Sequence, residues 1–461
     1  MSSVQPCLSA ENRSDSKMPV KKEYIPLGTT IHEEQPFVYV LSSKFRTECC
    51  DFCFKKWAQL SKCSACKYVY YCGKACQKQG WMVHKYECHN LKKIAPRILP
   101  DAARMLFRIH KKTQTGGAAC KTCYTKGQYR MWKDLMSHYP ELKKDARRME
   151  HLSSLYAVLT EFFQEELGPN FVEMMELYGR MCINSFNICN QELQSLGTGI
   201  YLGASIFDHS CHPNALAIFE GTTLIIRTLY ALPEVDLSKI RISYIDVLAS
   251  TEERQKELLD AYYFLCDCPK CLLAEDRTEL FGAQCQNTAC KSAVCCEKAK
   301  CDKCGKELTQ KFINEFRSVV ELTENHLATM KDMTCLDVCK ICLKKHKGVL
   351  YKHHLRHIKT LDLAFEASID LGKFDDALQY GLELAECYEK RYPTIHPLTG
   401  LLHLKLAKLL MNERKVRECV RHLRQASDIL KVTHSSTSSL YKTEVFPLIQ
   451  QCKLMNGIKR T

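Results

Sequence analysis

The spacing of apolar residues sets the C-terminal third of the chain apart. From about Lys311 onward, apolar positions recur at helical spacing and the patterns typical of strands vanish. Within this part, "GKFDDALQYGLE" from Gly372 aligns with "RKVRECVRHLRQ" from Arg414 at an offset of 42 residues. The aligned positions include Phe374 with Val416 and Ala377 with Cys419. This weak repeat predicts a series of helical hairpins.

Further upstream, the polar stretch "FDHSCHPNA" (residues 207–215) lies between two apolar runs, "GIYLGASIF" and "LAIFEG". It brings Asp208, His209, Cys211 and His212 close together in the sequence. Three interpretations are open at this point: a nucleophilic cysteine with a histidine base, a set of metal ligands, or a buried polar turn. The partners that the rest of the chain offers to Cys211 decide among them.

Length and composition indicate a soluble globular protein. With 461 residues, of which 46% are apolar and 26% charged, the chain has room for roughly two to four domains. No apolar run is long enough to span a membrane, and the polar N-terminus lacks the apolar segment of a signal peptide. We therefore expect an intracellular protein. In that reducing environment, 29 cysteines gathered at short spacings indicate zinc rather than disulfides.

The positive charge is concentrated in one region. The formal net charge is +14, and residues 44–148 contain 24 Lys and Arg but only 7 Asp and Glu. Such a region suits nucleic acid or an acidic partner, and it is equally compatible with an ordinary solvated surface.

Residues 49–89 contain four pairs of metal-ligand residues at short spacing. The pairs are Cys50 and Cys53, Cys63 and Cys66, Cys72 and Cys76, and His84 and Cys88. Each pair can occupy two corners of a tetrahedron, so that eight ligands form two closed zinc sites. Closed sites leave no position for a reactive water, and we predict a structural role for this module.

The arrangement of these pairs resembles the MYND zinc finger, in which the pairs interleave. The resemblance implies that one ion is held by Cys50, Cys53, Cys72 and Cys76. It implies that the other is held by Cys63, Cys66, His84 and Cys88. Cys49 is left over. MYND fingers generally bind proline-rich or other peptides, which implies peptide partners for this module.

A further cysteine group, Cys266, Cys268 and Cys271 in "YYFLCDCPKC", leaves one corner of a tetrahedron empty. Cys211 can fill that corner if the fold brings the two segments together. The pattern matches the SET domain, in which the cysteine of an "NHSCDPN" motif joins the zinc of the segment that follows the domain. A MYND finger upstream of a SET core makes the chain similar to the SMYD family of protein-lysine methyltransferases, and most of all to its third vertebrate branch. The resemblance implies that Cys211 is a metal ligand and not a nucleophile.

The same resemblance implies roles for residues around a methyl-transfer site. Tyr244 in "RISYIDV" corresponds to the catalytic tyrosine, whose hydroxyl positions the amine and the transferring methyl group. Tyr262 and Phe264 correspond to the aromatic lining of the lysine channel. The implied contacts to the cofactor, S-adenosylmethionine, are His138, Asn184, Asp208, His209, Tyr244 and Phe264. Read without the resemblance, the three aromatic residues are ordinary core or half-buried strand positions.

The chain departs from the family pattern in three places. Asp208 stands where the family has asparagine, and an ionised carboxylate cannot donate a hydrogen bond. After Val235 the family's "GEEL" is replaced by "DLSKI". No N-terminal Gly-x-Gly turn is visible; the corresponding stretch reads "ENRSDSKMPVKKEYIPLG", residues 11–28, in which "YIPL" is a candidate end of the strand.

Another cysteine group lies in "AQCQNTACKSAVCCEKAKCDKCGKEL". Cys285, Cys290, Cys301 and Cys304 have the spacing of a zinc ribbon, and a flexible thiol-rich insertion is the alternative. Other cysteines lack convincing partners, and we interpret those between 335 and 342 as packing residues. They are Cys120, Cys123, Cys335, Cys339 and Cys342.

Together these patterns predict an α+β multidomain protein with a SET-type β core, an inserted MYND finger, a zinc segment after the core and a C-terminal α-helical, TPR-like domain. The predicted divisions are 1–48 (N-terminal SET portion), 49–90 (MYND finger), 91–180 (helical insertion), 181–250 (SET core), 251–275 (post-SET zinc segment), 276–310 (zinc ribbon) and 311–461 (helical domain).

The leading predicted function is methyl transfer from S-adenosylmethionine to lysine of histone or other proteins. A catalytically degenerate scaffold that acts as a peptide-binding adaptor or transcriptional co-regulator is the alternative. We expect three zinc ions, and a fourth in the ribbon. We also expect a monomer in the nucleus and cytoplasm with protein substrates, no membrane association, and a basic region (44–148) suited to nucleic acid.

Overall fold

The computed structural model describes residues 24–164, 168–233, 236–298, 300–329 and 335–458, with the backbone alone for 456–458. Most of the strands lie in the first half of the described chain, which also contains several helices, whereas the elements from Gln310 onward are all helical. The mixed architecture and the helical C-terminal part were both predicted from the sequence, and both are confirmed.

The strands are short. In chain order they are β1 (Thr30–Glu34), β2 (Val38–Leu41), β3 (Ser61–Lys62), β4 (Tyr70–Tyr71), β5 (Thr122–Thr125), β6 (Gln128–Arg130), β7 (Ser185–Cys189), β8 (Ser195–Ile200), β9 (Asp208–His209), β10 (Ala215–Glu220), β11 (Thr223–Thr228), β12 (Arg241–Ile242), β13 (Ala283–Gln284) and β14 (Ala293–Val294).

Two antiparallel sheets, β1-β11-β10 and β2-β8-β7, form the β-rich core. The first two strands pair with strands much later in the chain, as in Glu34 with Leu224 and Val38 with Ile200. The long insertion between β2 and β7 therefore leaves the core and returns to it. Parallel to each other, β9 and β12 pair Asp208 with Arg241, which places the "FDHSCHPNA" stretch beside the strand that precedes Tyr244.

The helices in chain order are α1 (Lys74–His84), α2 (Cys88–Ile94), α3 (Asp101–Gln114), α4 (Tyr139–Leu142), α5 (Ala146–Phe163), α6 (Phe171–Asn184), α7 (Thr251–Tyr262), α8 (Pro269–Leu272), α9 (Arg277–Phe281), α10 (Gln310–Thr329), α11 (Leu336–His346), α12 (Leu355–Asp370), α13 (Phe374–Arg391), α14 (Pro397–Asn412), α15 (Val416–Thr433) and α16 (Phe446–Ile458). Among the described helices, none combines the length and the apolar composition needed to cross a membrane.

Capping residues determine where the two helices that contribute residues to the predicted site begin. Asn170 caps α6 and Ser250 caps α7, each in a capping box in which the third helical residue is a glutamate. These reciprocal hydrogen bonds satisfy backbone N–H groups at the first turn. They fix where α6 delivers Asn184 and where α7 delivers Tyr262, the last residue of each helix.

The weak repeat in the C-terminal part corresponds to two helical hairpins, α12–α13 and α14–α15. The turns match residue by residue: the N–H of Lys373 donates to the carbonyl of Ser368, and the N–H of Lys415 donates to that of Leu410. Gly372 and Arg414 both take the left-handed conformation, with φ of +67° and +59°. Both hairpins therefore contain a left-handed residue at the same position of the turn. This residue is glycine in the first hairpin and arginine in the second.

The helical part closes over the β-rich core. One continuous apolar cluster joins leucines of α12–α16 to Cys211, Cys266 and Cys268, and Tyr244, Tyr262 and Phe264 pack against it. The predicted site residues therefore lie at the junction between the strands and the C-terminal helices.

Candidate active site and metal centres

A cavity of about 390 Å³ lies where β7, β10, the 204–208 turn and the end of α7 meet. Six of the seven residues that the sequence predicts for catalysis or cofactor contact line it: His138, Asn184, Asp208, Tyr244, Tyr262 and Phe264. They come from segments more than 120 residues apart in the chain, as His138 and Phe264 illustrate. The fold thus places these six residues around a single cavity.

Three aromatic rings form one side of this cavity. The ring centroids of Tyr244 and Tyr262 are 5.0 Å apart, and those of Tyr262 and Phe264 are 6.5 Å apart. The Tyr244 hydroxyl donates a 2.6 Å hydrogen bond to the carbonyl of Phe207. Burial raises the pKa of Tyr244, so its hydroxyl stays protonated at neutral pH. The hydroxyl is therefore held in place as a neutral dipole beside the rings.

The seventh predicted residue, His209, lies behind the aromatic wall rather than on the cavity surface. Its Nδ1 accepts a 3.0 Å hydrogen bond from the backbone N–H of Tyr244, and its Nε2 is 3.2 Å from the Cys211 sulfur. Burial lowers the pKa of His209, which keeps the imidazole neutral. The accepting Nδ1 places the proton on Nε2, so His209 donates to the Cys211 sulfur and links Tyr244 to the metal group.

Asn184 and His138 also line the cavity. The Asn184 amide donates to the carbonyls of Met136 and Arg180, at 2.8 Å each. His138 has φ 47° and ψ 41°, a left-handed conformation that is uncommon for a residue with a side chain. Strain of this kind persists where neighbouring structure enforces it, frequently at binding sites.

The N-terminal stretch in which the sequence shows no Gly-x-Gly turn lies mostly outside the described residues. Residues 11–23 of the stretch searched for a Gly-x-Gly turn lie outside the described residues, as do Glu234 and Val235. Ile25 of "YIPL" pairs with Leu232 in an isolated bridge, and strand β1 begins only at Thr30. No residue from 24 to 34 belongs to the described wall of the cavity.

Cys211, Cys266, Cys268 and Cys271 form one group, whose sulfur atoms all lie within 4.8 Å of one another. The Cys211 sulfur is 4.0 Å from that of Cys266 and 3.5 Å from that of Cys271. A tetrahedral zinc with Zn–S bonds of about 2.3 Å separates its sulfurs by about 3.8 Å. The donor set and its spacing fit zinc, and they agree with the metal interpretation of the "FDHSCHPNA" stretch.

The finger contains two such groups, and their membership is interleaved. Cys50, Cys53, Cys72 and Cys76 form one; Cys63, Cys66, His84 and Cys88 form the other. In the second group, His84 uses Nε2 toward Cys66, at 3.4 Å, while its Nδ1 donates to Glu87 at 3.1 Å. A carboxylate on the second ring nitrogen is the usual way to orient a metal-binding histidine.

The fourth group consists of Cys285, Cys290, Cys301 and Cys304, with sulfur distances of 3.5 Å (Cys285 to Cys304) and 3.8 Å (Cys290 to Cys301). Its backbone is tied to the helical part, because β13 pairs with Leu350. The other cysteines with short spacings take no part in these groups. Cys339 and Cys342 are buried on α11, whereas Cys120 and Cys123 are exposed.

A buried charge network that the sequence analysis missed joins the finger to helix α3. Arg104 donates to Asp51 at 2.7 Å and to Glu87 at 2.6 Å, and Arg108 donates to the same two carboxylates. All four side chains are nearly inaccessible to water. The signal was present in the sequence as two arginines four residues apart within the apolar stretch "AARMLFRI" of this helix. The network also removes two cations from the basic surface predicted for residues 44–148.

Known proteins resemble this chain over almost its full length. A family model for the MYND finger matches residues 50–88. The chain is 30% identical over 431 residues to the human histone-lysine N-methyltransferase SMYD3, with 92% of each chain covered. It is 27% identical over 433 residues to ASHR1 of Arabidopsis thaliana, another histone-lysine N-methyltransferase, covering 90% of this chain and 89% of that one. It is 29% identical over 415 residues to the N-lysine methyltransferase SMYD2-A of Xenopus laevis, covering 88% and 90%. These matches confirm the resemblance read from the sequence: the chain belongs to the SMYD family of SET and MYND domain-containing protein-lysine methyltransferases.

Proposed function

We propose that this protein transfers a methyl group from S-adenosylmethionine to lysine side chains of histone or other proteins, and that the 390 Å³ cavity is where it does so. The observation that carries the proposal is the convergence of Tyr244, Tyr262 and Phe264 with Asn184 and Asp208 on that one cavity. The cofactor supplies an electrophilic methyl group on a sulfonium.

The cavity suits this cofactor. Its volume falls within the range of about 300–1,000 Å³ that is usual for small-molecule sites. Aromatic faces attract sulfonium and methylammonium groups through their quadrupoles. Asn184 and Asp208 add polar groups to the wall. The wall thus combines the two kinds of surface that a nucleoside with a cationic sulfur requires.

Tyr244 has the central role in the proposed mechanism. Its hydroxyl is fixed by the 2.6 Å bond to the Phe207 carbonyl, so its oxygen can accept a hydrogen bond from an incoming amine while its proton is engaged. The neighbouring rings of Tyr262 and Phe264 exclude water from the approach of the lysine. A dry aromatic channel favours the uncharged amine, which is the nucleophilic form, and it holds the amine in line for transfer.

The four cysteine-rich groups would hold zinc in closed sites, and none offers an open position for catalysis. The group around Cys211 has a second consequence, because His209 connects it to the backbone of Tyr244. We infer that this metal fixes the position of the catalytic tyrosine indirectly.

The cavity and the MYND finger each indicate a kind of protein partner. Two relatives are named as enzymes that act on histone lysine, and we propose that this chain also takes protein substrates. The finger is the natural site for a peptide partner. Nucleic-acid binding by residues 44–148, a monomeric state, the nuclear and cytoplasmic location and the predicted domain boundaries stay predictions.

Binding of the cofactor product separates the enzyme from a degenerate adaptor. A ligand that binds only the folded state, at one hundred times its Kd, adds about 2.7 kcal/mol to the free energy of unfolding. S-adenosylhomocysteine should therefore raise the melting temperature of the purified protein by a few degrees. An unmoved melting curve at millimolar ligand would favour the adaptor, because an intact scaffold without a cofactor site would show that result.

A further inference from the structure

The turn at the end of helix α7 delivers two aromatic side chains to the cavity. Tyr262 and Phe264 line it, whereas the residue between them, Tyr263, does not belong to its described wall. Tyr263 takes the left-handed conformation, with φ 62° and ψ 32°. Glycine or asparagine is usual at such a helix end, because a residue with a larger side chain is strained there. A tyrosine at this position therefore needs contacts that compensate for the strain.

The first residues of helix α5 provide those contacts. The Tyr263 hydroxyl donates a 3.0 Å hydrogen bond to Oδ2 of Asp145, the residue that precedes α5. The other oxygen of that carboxylate, Oδ1, accepts from the backbone N–H of Arg148 at 3.1 Å and so caps α5. The Arg148 guanidinium lies over the Tyr263 ring, 5.3 Å from its centroid. One carboxylate thus both starts α5 and holds the residue that ends α7.

Arg148 also supplies hydrogen bonds to the end of α7. Its Nη2 donates to the carbonyl of Ala261 at 2.7 Å and to that of Asp260 at 3.2 Å. The last carbonyls of a helix have no partner within the helix and form the negative end of its dipole, so a cation stabilises them. The last turn of α7, all of which the structure describes, contains no basic residue. The cation comes instead from a residue 113 positions earlier than Ala261.

These contacts are largely shielded from water. The side chains of Arg148 and Asp145 are only 13% and 19% exposed. Hydrogen bonds that involve a charged partner are stronger than neutral ones, and burial strengthens them further. Helix α5 belongs to the long insertion between β2 and β7, so the contacts join that insertion to the aromatic wall of the cavity.

We propose that Asp145, Arg148 and Tyr263 form a brace through which the first turn of α5 sets the position of the Tyr262 and Phe264 rings during methyl transfer. The proposal rests on the proposed function of the cavity. The three residues of the brace are positioning residues, because they act through the two rings and do not touch the reacting atoms. A misplacement of about 1 Å caused far from the chemistry can slow a reaction by roughly 10²-fold.

Arg148→Gln, which shortens the side chain and removes its charge, tests the brace. The zinc-loaded full chain is first given S-adenosylmethionine labelled in its methyl group and is then mixed with protein from a cell extract, and labelling of lysine is followed through a single turnover. We expect the rate constant to fall by about tenfold to 10²-fold. Loss of folded protein would lower the amplitude of the turnover and leave the rate constant unchanged, so the rate constant separates a misplaced wall from a damaged fold.

Three further variants sharpen the result. Tyr263→Phe removes only the hydroxyl that reaches Asp145 and should lower the rate constant by about threefold or more. Arg148→Lys keeps a cation at the end of α7 and should recover part of the loss. The matched control is Arg97→Gln, the same chemical change in an exposed arginine that pairs with Glu161 near the other end of α5, and it should leave the rate constant unchanged.

A double-mutant cycle shows whether Arg148 acts through the aromatic wall. In a Tyr262→Leu background, Arg148→Gln should slow the transfer by a smaller factor than in the wild type, because one of the rings that it positions is gone. Equal factors in the two backgrounds would mean that Arg148 acts by another route, and would overturn the brace.

The brace is also overturned if Arg148→Gln and Tyr263→Phe both keep the wild-type rate constant, or if only the amplitude of the turnover falls. Failure of the proposed function gives a different result: the wild-type protein would then transfer no label to lysine, which would overturn the brace together with that function.

Discussion

Glu87 connects helix α3 to the zinc finger, because it contacts both the arginines of that helix and a predicted zinc ligand, His84. Its side chain is fully buried and accepts hydrogen bonds from Arg104, Arg108 and the Nδ1 of His84. We expect Glu87→Gln, which preserves the shape of the side chain but removes its charge, to be severely destabilising. Two buried guanidiniums would then share the single carboxylate of Asp51.

The magnitude follows from the burial of every partner. Arg104 and Arg108 side chains are each 3% exposed and Glu87 is 0% exposed, so water cannot compensate for the missing charge. Breaking a buried ion pair by removing one partner costs about 3–5 kcal/mol of the free energy of unfolding. Because Glu87 also orients a predicted zinc ligand, we expect the affinity of that site for zinc to fall by about 10–100-fold.

Denaturant unfolding of the zinc-loaded protein, together with zinc release to a chromogenic chelator, measures both effects. The matched control is Glu161→Gln, which makes the same chemical change in an ion pair with Arg97 whose side chains are 60% and 64% exposed. That change should have little effect on the free energy of unfolding, because water screens the exposed pair. If Glu87→Gln is no more destabilising than Glu161→Gln and releases zinc no faster, the buried network does not have the role argued for it.

Three further predictions follow from the structure. Tyr244→Phe should leave the fold and S-adenosylhomocysteine binding intact but slow methyl transfer by roughly 10² or more in single-turnover assays, because it removes a positioned hydroxyl; unchanged turnover would place catalysis elsewhere. Elemental analysis of the purified protein should give four zinc ions per chain, and Cys211→Ser should remove one of them; two ions or fewer in the wild type would contradict the group around Cys211. Burial raises the pKa of Asp362 to about 6, above its unfolded value, so the folded state loses stability as pH rises from about 4 to 6. Asp362→Asn should remove that loss, stabilising the protein relative to wild type more at pH 7.5 than at pH 5 in paired denaturation curves; an equal difference at both pH values would refute it.

The parts of the structure that local spacing determines were accessible from the sequence. Ligand pairs such as Cys50 and Cys53 lie within one turn of chain, so their spacing alone indicates a metal. The 42-residue repeat likewise predicted the two C-terminal hairpins, because the turn at Gly372 recurs at Arg414. Joining Cys211 to Cys266 across 55 residues required a family resemblance, since nothing local connects them.

Other features depended on three-dimensional packing that no short pattern reveals. Arg130 reaches the cavity because the β5–β6 hairpin places it against Ser205, 75 residues away. His209 was predicted to contact the cofactor, and that contact stays a prediction; what the sequence did not reveal is that the pairing of β9 with β12 directs its ring toward the backbone of Tyr244. Positions like these depend on which strands pair, and that pairing is decided by the whole core.

The central claim is that Tyr244 and the aromatic wall serve methyl transfer to lysine. The most direct measurement incubates the purified protein with S-adenosylmethionine labelled in its methyl group and with protein from a cell extract, and then identifies the labelled amino acid after complete hydrolysis. We expect label on the ε-nitrogen of lysine, at a level that falls roughly 10²-fold or more in Tyr244→Phe. Label that is absent, that equals the Tyr244→Phe background, or that resides on another amino acid would contradict it.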